Sequence, residues 1–160
     1  RLTDVTGVQT CALPICEIIP VPWTEHLDWE KGIEQIVKDS GIWNRSQLNP
    51  IQELLRESAK AYPVEIAPGA VLLHAHTETL NTTTLLVSFR SQECLLPNLE
   101  RPVKLILILM SPKNQPPDRH LAVLAALART FHSKVFLDKL AGVSSSLAAA
   151  DLLQDSMTKE

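Results

Sequence analysis

The sequence predicts a single α/β domain in which helices pack on both faces of a mixed β-sheet. Segments with the two-residue alternation of strands interleave along the chain with segments that have the three-to-four-residue spacing of amphipathic helices. Residues 102–110 are apolar at nearly every position, which is typical of a central strand covered on both faces. Hydrophobic residues make up 45% of the 160-residue chain, so one domain of ordinary size can bury a real core.

The first fifteen residues are set apart from this domain. Residues 5–15 match one reading frame of a common short-read sequencing adapter, and residues 1–4 fit the adapter's index region. A signal peptide is the alternative, but it requires a basic segment followed by a long apolar run, which this segment lacks. We predict a non-native, adapter-derived segment at 1–15 and one domain at 17–156; the natural reading frame could continue further upstream.

Two helices are predicted near the N-terminus of the domain. The first covers residues 28–40, with Asp28 as its N-cap and Gly41 at its end. The apolar stripe of this helix consists of Trp29, Ile33, Ile36 and Val37. Pro50 opens or kinks the second helix. The inward residues of the second helix are Ile51, Leu54 and Leu55.

The stretch 64–78 carries the first candidate functional residues. It starts extended, turns at Pro68 and Gly69, and continues as a short apolar strand into two histidines, His74 and His76. Side chains alternate across a strand, so both histidines share one face. An imidazole held rigidly at the end of an apolar strand suits a nucleophile, a general base or a metal ligand. Two surface histidines at a sheet rim are the alternative.

Two strands and three helices are predicted after His76. Residues 84–90 alternate like a half-buried strand, and residues 102–110 form the central strand. The loop 111–117 contains three prolines and leads into a helix N-capped by Asp118. The apolar stripe of that helix consists of Leu121, Leu124, Ala125, Ala128 and Phe131. Two more helices, at about 135–141 and 145–154, close the domain.

His120 lies in the first turn of the helix that follows the proline-rich loop. Free backbone N–H groups and the positive end of the helix dipole favour anions at this place. A histidine there is biased toward its neutral form. If the strand that ends at His74 points at this turn, the two histidines form a phosphate-handling site. A helix-end residue that hydrogen-bonds a neighbouring loop is the alternative for His120.

The order and spacing of these motifs resemble the mannitol/fructose-type (type 2) enzyme IIA domain of the bacterial phosphoenolpyruvate:sugar phosphotransferase system. The shared motifs, in chain order, are Asp28-Trp29 with Ile33, Ala61-Tyr62-Pro63, Ala67-Pro68-Gly69-Ala70, His74-Ala75, and His120-Leu121 at the start of a helix. They are most similar to the ascorbate-type branch, and the resemblance covers about residues 17–154. It implies the α/β fold of that family.

The resemblance also implies a phosphotransferase component that serves sugar transport. By position, His74 is the histidine that accepts a phosphoryl group from the carrier protein HPr, as a phosphohistidine, and passes it to enzyme IIB. His120 supports that chemistry, and His76 and Arg56 are candidates for supporting the phosphate; a solvated surface arginine is the alternative for Arg56. Two positions depart from the family: Leu73 replaces a proline, and His76 replaces an arginine that would bind phosphate in bidentate fashion. The resemblance implies no metal and no organic cofactor.

Two other functions are open from the sequence. Enzyme IIA-like domains also form the C-terminal end of transcriptional antiterminators and activators, where phosphorylation reports sugar supply. A metal site is the other alternative, with His74, His76 and His120 as nitrogen ligands, Asp118 nearby and one open position, as in catalytic zinc sites. The sequence offers no clear carboxylate to orient these ligands.

Charge and cysteine content argue against several other classes. The net charge of −3 argues against nucleic-acid binding, which usually requires a basic face. No apolar run approaches the ~20 residues of a membrane helix, so membrane insertion is not expected. Cys94 is the only cysteine clear of the foreign segment and its junction. The sequence therefore predicts no disulfide framework, and a reducing cytoplasm fits.

Overall fold

A computed structural model of the protein describes residues 16–24 and 28–158. The adapter-derived segment predicted at 1–15 lies outside the described residues. The strands are β1 (Glu17–Pro20), β2 (Val64–Ala67), β3 (Ala70–Thr77), β4 (Thr84–Cys94) and β5 (Val103–Pro112). The helices are α1 (Trp29–Ser40), α2 (Arg45–Ala61), α3 (Pro117–His132), α4 (Lys134–Leu140) and α5 (Ser146–Thr158).

The described strands form one mixed sheet with the order β1-β4-β5-β3-β2. Strands β1 and β4 are parallel, as are β3 and β5, whereas the β4–β5 and β2–β3 pairs are antiparallel. The apolar run predicted as the central strand is β5, in the middle of the sheet. Its residues alternate between two hydrophobic clusters, one formed with α1 and α2 and the other with α3, α4 and α5. The predicted α/β class, with helices on both faces, is confirmed.

Strand β3 continues three residues beyond His74, to Thr77. The prediction that this strand ends at His74 is therefore wrong. The physical reason is that β5 extends to Pro112 and pairs with β3 over its whole length, with His74 opposite Leu109 and His76 opposite Ser111. Both histidines project on one face of the sheet from inside a paired strand, which fixes their separation.

Backbone hydrogen bonds define which edge of β3 is open. The carbonyls of Gly69 and Thr77 accept from Leu105 and Lys113, on the β5 side of β3. Because a strand's backbone groups alternate in direction, the N–H and C=O of Leu73 also point toward β5. Those of His74 point to the opposite side, where β2 no longer covers β3 because its first residue pairs with Leu72.

The N-terminal caps of the first two helices explain where these helices begin. The Asp28 carboxylate accepts from the N–H of Lys31 at 2.9 Å, as the predicted cap requires. Helix α2 begins five residues before Pro50, so the predicted opening at Pro50 is wrong. The side chain of Asn44 caps α2, and that of Gln47 bonds back to the Asn44 N–H. This reciprocal capping box starts the helix early enough to enclose the proline.

Helix α3 differs from its prediction in its cap and in its buried face. Pro116 occupies the cap position and no side chain caps the helix, so Asp118 is a first-turn residue and not the predicted N-cap. Three residues predicted to face inward are exposed: Leu121, Ala125 and Ala128. The buried face instead includes His120, Val123, Ala126, Leu127 and Phe131. Alternating alanines made two faces of this helix similarly apolar, and packing on the sheet selected the face that contains His120.

Membrane crossing and cysteine pairing can be assessed for the described part of the chain. There, no helix combines the length and the apolar character needed to span a bilayer. Cys16 and Cys94 are both buried free thiols.

Candidate functional site

The structure brings His74 and His120 together from distant parts of the chain. Nε2 of His120 lies 3.3 Å from Nδ1 of His74, and the ring centroids are 5.4 Å apart. His74 is half-buried on β3, whereas His120, in the first turn of α3, is buried and only 6% exposed. The sequence left open that His120 bonds a neighbouring loop. The structure does not show this, because its two ring nitrogens face Ser111 of β5 and His74 of β3.

His76 completes a group of three imidazoles. Its ring centroid lies 4.4 Å from that of His120, with the planes tilted by 37°. His76 is exposed and shares a face of β3 with His74, as the alternation predicted. The buried ring of His120 therefore lies against two imidazoles that face solvent to different degrees.

Three polar residues that the sequence reasoning missed support His120 from inside the protein. Nδ1 of His120 lies 2.6 Å from the hydroxyl of Ser111, which is 3.5 Å from the hydroxyl of Thr83. Thr83 in turn donates to the amide oxygen of Gln115 at 2.7 Å. Ser111 directly follows the apolar run of β5, and a polar residue in a strand covered on both faces needs a buried partner. That rule could have identified Ser111, but not which residues it would meet.

Burial holds the paired imidazoles in their neutral forms. Burial, followed by the charges of His76 and His74, lowers the pKa of His120 to about 4. The pKa of His74 is also lowered, mainly by burial and then by the charge of His76. A neutral imidazole has one nitrogen with a free lone pair. Nδ1 of His74 faces His120, and Nε2 of His74 has no hydrogen-bond partner among the described residues, so Nε2 is the nitrogen open to a reactant.

Arg56 is not brought to the histidines. Its guanidinium forms ion pairs with Glu34 at 2.6 Å and with Glu53 at 2.9 Å. Ser58, two positions further along α2, is the residue whose hydroxyl faces the carbonyl of His74, at 3.4 Å. Side chains two positions apart on a helix point about 200° away from each other. Arg56 therefore points toward α1, because Ser58 points toward β3. The guanidinium that was predicted to support phosphate is therefore already paired with two carboxylates.

An open groove borders His74 along the uncovered edge of β3. It has a volume of about 640 Å³ and is lined by Leu54, Ser58, Tyr62, His74 and His76, among others. Tyr62 is 75% exposed and Leu54 is 38% exposed, so the wall formed by α2 presents apolar surface to solvent. An open groove of this kind suits a macromolecular surface better than an enclosed small molecule.

The described residues do not form the metal site that the sequence left open as an alternative. In the part of the chain that the structure describes, no group of three or more His, Cys, Asp and Glu side chains is placed to hold a metal ion. Instead, His120 makes a hydrogen bond with His74 and a tilted ring contact with His76.

Comparison with known proteins identifies a family. Residues 24–156 match the family described as phosphoenolpyruvate-dependent sugar phosphotransferase system, EIIA 2. A comparison with curated protein sequences gave no match.

Solved structures share the fold at low sequence identity. Nitrogen regulatory protein IIA-Ntr from Neisseria meningitidis superposes with a TM-score of 0.67 at 23% identity, covering 88% of this chain and 94% of that one. The mannitol-specific cryptic phosphotransferase enzyme IIA CmtB from Escherichia coli gives 0.59 at 21% identity, with 88% and 92% covered. A complex of enzyme IIA mannitol with phosphorylated enzyme IIB mannitol from Escherichia coli gives 0.59 at 14% identity, with 87% and 94% covered.

Proposed function

The chain belongs to the EIIA 2 family of the phosphoenolpyruvate-dependent sugar phosphotransferase system, and we propose that His74 carries the phosphoryl group of this IIA domain. The observation that carries the proposal is the pairing of His74 with a buried, neutral His120. This pairing holds one nitrogen of His74 and leaves Nε2 accessible. IIA domains of this family are phosphotransferase components, and a histidine nucleophile needs these two properties.

The transfer uses only the lone pair of Nε2. That lone pair attacks the phosphorus atom of a phosphohistidine on the donor protein and forms a new N–P bond. The bond from phosphorus to the donor's nitrogen breaks, and its electron pair stays on that nitrogen. With a proton on the other nitrogen of the donor ring, that ring leaves as a neutral imidazole, and His74 keeps its Nδ1 proton as a phosphoimidazolium. No proton then has to enter or leave, so catalysis consists mainly of positioning and charge stabilisation.

His120 and His76 support this step in different ways. His120 holds Nδ1 of His74 by a hydrogen bond, which fixes the orientation of the attacking ring. His76 lies on the same face as His74 and is exposed, so its ring can meet the oxygens of an incoming phosphoryl group. Arg56 has no part in the proposal, because Glu34 and Glu53 already bind its guanidinium.

The proposed partners are HPr as donor and enzyme IIB as acceptor, in the cytoplasm. The groove with exposed Tyr62 and Leu54 beside His74 supports docking of a protein surface. A related fold has been solved in complex with phosphorylated enzyme IIB, which supports the choice of acceptor. The two free thiols of the described chain suit a reducing compartment.

Labelling with phosphoenolpyruvate, enzyme I and HPr tests the proposal. The protein should acquire one acid-labile, base-stable phosphate, and His74→Ala should abolish it. His132→Ala is the matched control, because His132 is exposed at the other end of α3 and should leave labelling unchanged. A label that persists in His74→Ala, or that never forms on the starting protein, would refute the assignment.

A regulatory role is the second candidate, favoured by the similarity to a nitrogen regulatory IIA protein. In this case, the domain would report phosphate flow, as the IIA-like C-terminal domains of antiterminators and activators do. Adding an enzyme IIB domain to the labelled protein distinguishes the two candidates. Rapid loss of label from His74 indicates transport, whereas retention of the label with all IIB domains tested indicates regulation.

A further inference from the structure

A chain of hydrogen bonds runs from the proposed nucleophile into the protein. It links His74 to His120 over 3.3 Å, His120 to Ser111 over 2.6 Å, Ser111 to Thr83 over 3.5 Å, and Thr83 to Gln115 over 2.7 Å. We propose that Gln115 sets the direction of this chain, and that Gln115, Thr83 and Ser111 are positioning residues that keep Nε2 of His74 unprotonated. The inference rests on the proposed function, in which Nε2 is the attacking atom.

The direction follows from the last acceptor. The amide oxygen of Gln115 can accept a hydrogen bond but has no proton to give, so the hydroxyl of Thr83 must be the donor. Thr83 then uses its oxygen to accept from Ser111, and Ser111 accepts from Nδ1–H of His120. Nε2 of His120 is left with a lone pair and accepts from Nδ1–H of His74. Nε2 of His74 therefore carries no proton.

The opposite direction would disable the proposed nucleophile. If Ser111 donated to Nδ1 of His120, the proton of neutral His120 would sit on Nε2 and would point at His74. Nδ1 of His74 would then accept that bond, and the proton of His74 would sit on Nε2. The only lone pair left on the ring would be covered by His120. One hydrogen-bond direction thus gives an attacking nitrogen, and the other blocks it.

Burial makes the members of the chain depend on one another. Ser111 and Thr83 are 1% and 2% exposed, and His120 is 6% exposed. Buried hydroxyl groups are nearly always hydrogen-bonded, so a reversal at one link passes along the others. The contact between Ser111 and Thr83 is the longest link, and a hydrogen bond weakens near this length. If Thr83 no longer donates to Gln115, the Ser111–Thr83 bond is therefore the link that reverses most easily.

The tautomer of His74 can be read directly by ¹⁵N NMR of the imidazole nitrogens in the unphosphorylated protein. The main variant is Gln115→Met, which removes the final acceptor at a half-buried loop position. Thr83→Val is the second variant, and Thr84→Val is its matched control, because the Thr84 hydroxyl is equally buried but donates to the carbonyl of Thr82. Gln115→Glu keeps an acceptor at the same place and should act as the conservative rescue.

The expected result is a His74 protonated on Nδ1 in the starting protein, in Thr84→Val and in Gln115→Glu. Gln115→Met and Thr83→Val should populate the form protonated on Nε2, and labelling by phosphorylated HPr should slow by about twofold to tenfold, the range for one lost hydrogen bond. A proton on Nε2 in the starting protein, or an unchanged tautomer in both variants, would overturn the inference. Because the tautomer is measured without HPr, a complete failure of labelling would overturn only the proposed function.

Discussion

Replacing His120 should remove much of the acid sensitivity that burial of its ring gives to the fold. The pKa of the buried ring falls from the ordinary value of 6.5 to about 4. An unfolded chain titrates near 6.5, so at pH values between these limits the unfolded state binds a proton that the folded state does not. The free energy of unfolding is therefore unaffected by this ring above about pH 6.5, and it decreases as the pH falls from about 6.5 toward about 4.

The magnitude follows from the two pKa values. Each pKa unit corresponds to 1.36 kcal/mol, so the ring accounts for about 3 kcal/mol of lost stability between about pH 7 and about pH 4. The groups that face the ring are His74 and His76 from β3 and Ser111 from β5. His74, whose pKa is also lowered, adds to the loss in the same direction, so a comparison of variants is needed to isolate His120.

Urea unfolding at about pH 7 and about pH 4 provides that comparison. His120→Gln keeps a polar group that can reach Ser111 but cannot titrate, so its free energy of unfolding should fall by about 3 kcal/mol less than that of the starting protein. His132→Gln, at an exposed position, should retain the full acid dependence. Equal losses in His120→Gln and the starting protein would show that the ring is not held neutral by burial.

Three further substitutions test the packing of the sheet and the site. Leu73→Pro should destabilise the fold by about 2–5 kcal/mol, because it creates a core cavity and removes an N–H that faces β5; an unchanged urea midpoint would refute this. Gly32→Ala should lower the thermal midpoint, since its Cβ would lie 2.7 Å from Nε1 of buried Trp23. The overpacking cost of ~1–3 kcal/mol exceeds the helix gain of ~0.5–1 kcal/mol, and a raised midpoint would contradict it. His76→Ala should raise the pKa of His74 because the charge of His76 helps to lower it; an NMR titration that finds no rise would exclude that interaction.

The sequence was sufficient where one local pattern decided the structure. The run 102–110 had one plausible use, a strand covered on both faces, and Asp28 and Gly41 bounded α1 by their capping chemistry. The alternation in β3 placed both histidines on one face for the same reason. Local rules failed at α3, where Ala125 and Ala128 look as buriable as Ala126, and only packing against the sheet distinguishes them.

The candidate site was predictable only in part, because it depends on pairings between distant strands. Nothing local to Thr83 or Gln115 indicates that they lie next to Ser111. Their contact requires β4 and β5 to be antiparallel neighbours and the loop after β5 to turn back over them. Arg56 was predicted beside the histidines but pairs with Glu34 of α1 instead. Its position depends on which face of α2 packs on α1, which the sequence of α2 alone does not determine.

The burial that makes His120 useful also makes it a source of acid sensitivity. An exposed imidazole can satisfy either nitrogen with water, so its two neutral tautomers interconvert and it cannot impose one hydrogen-bond direction on a neighbour. His120 can impose a direction on His74 because the protein interior supplies one partner for each of its nitrogens, Ser111 and His74. The same enclosure excludes the water that would stabilise a protonated ring, and the pKa falls to about 4. Orientation of the nucleophile and loss of stability in acid are therefore two consequences of one buried side chain, and a variant that relieves the second should also weaken the first.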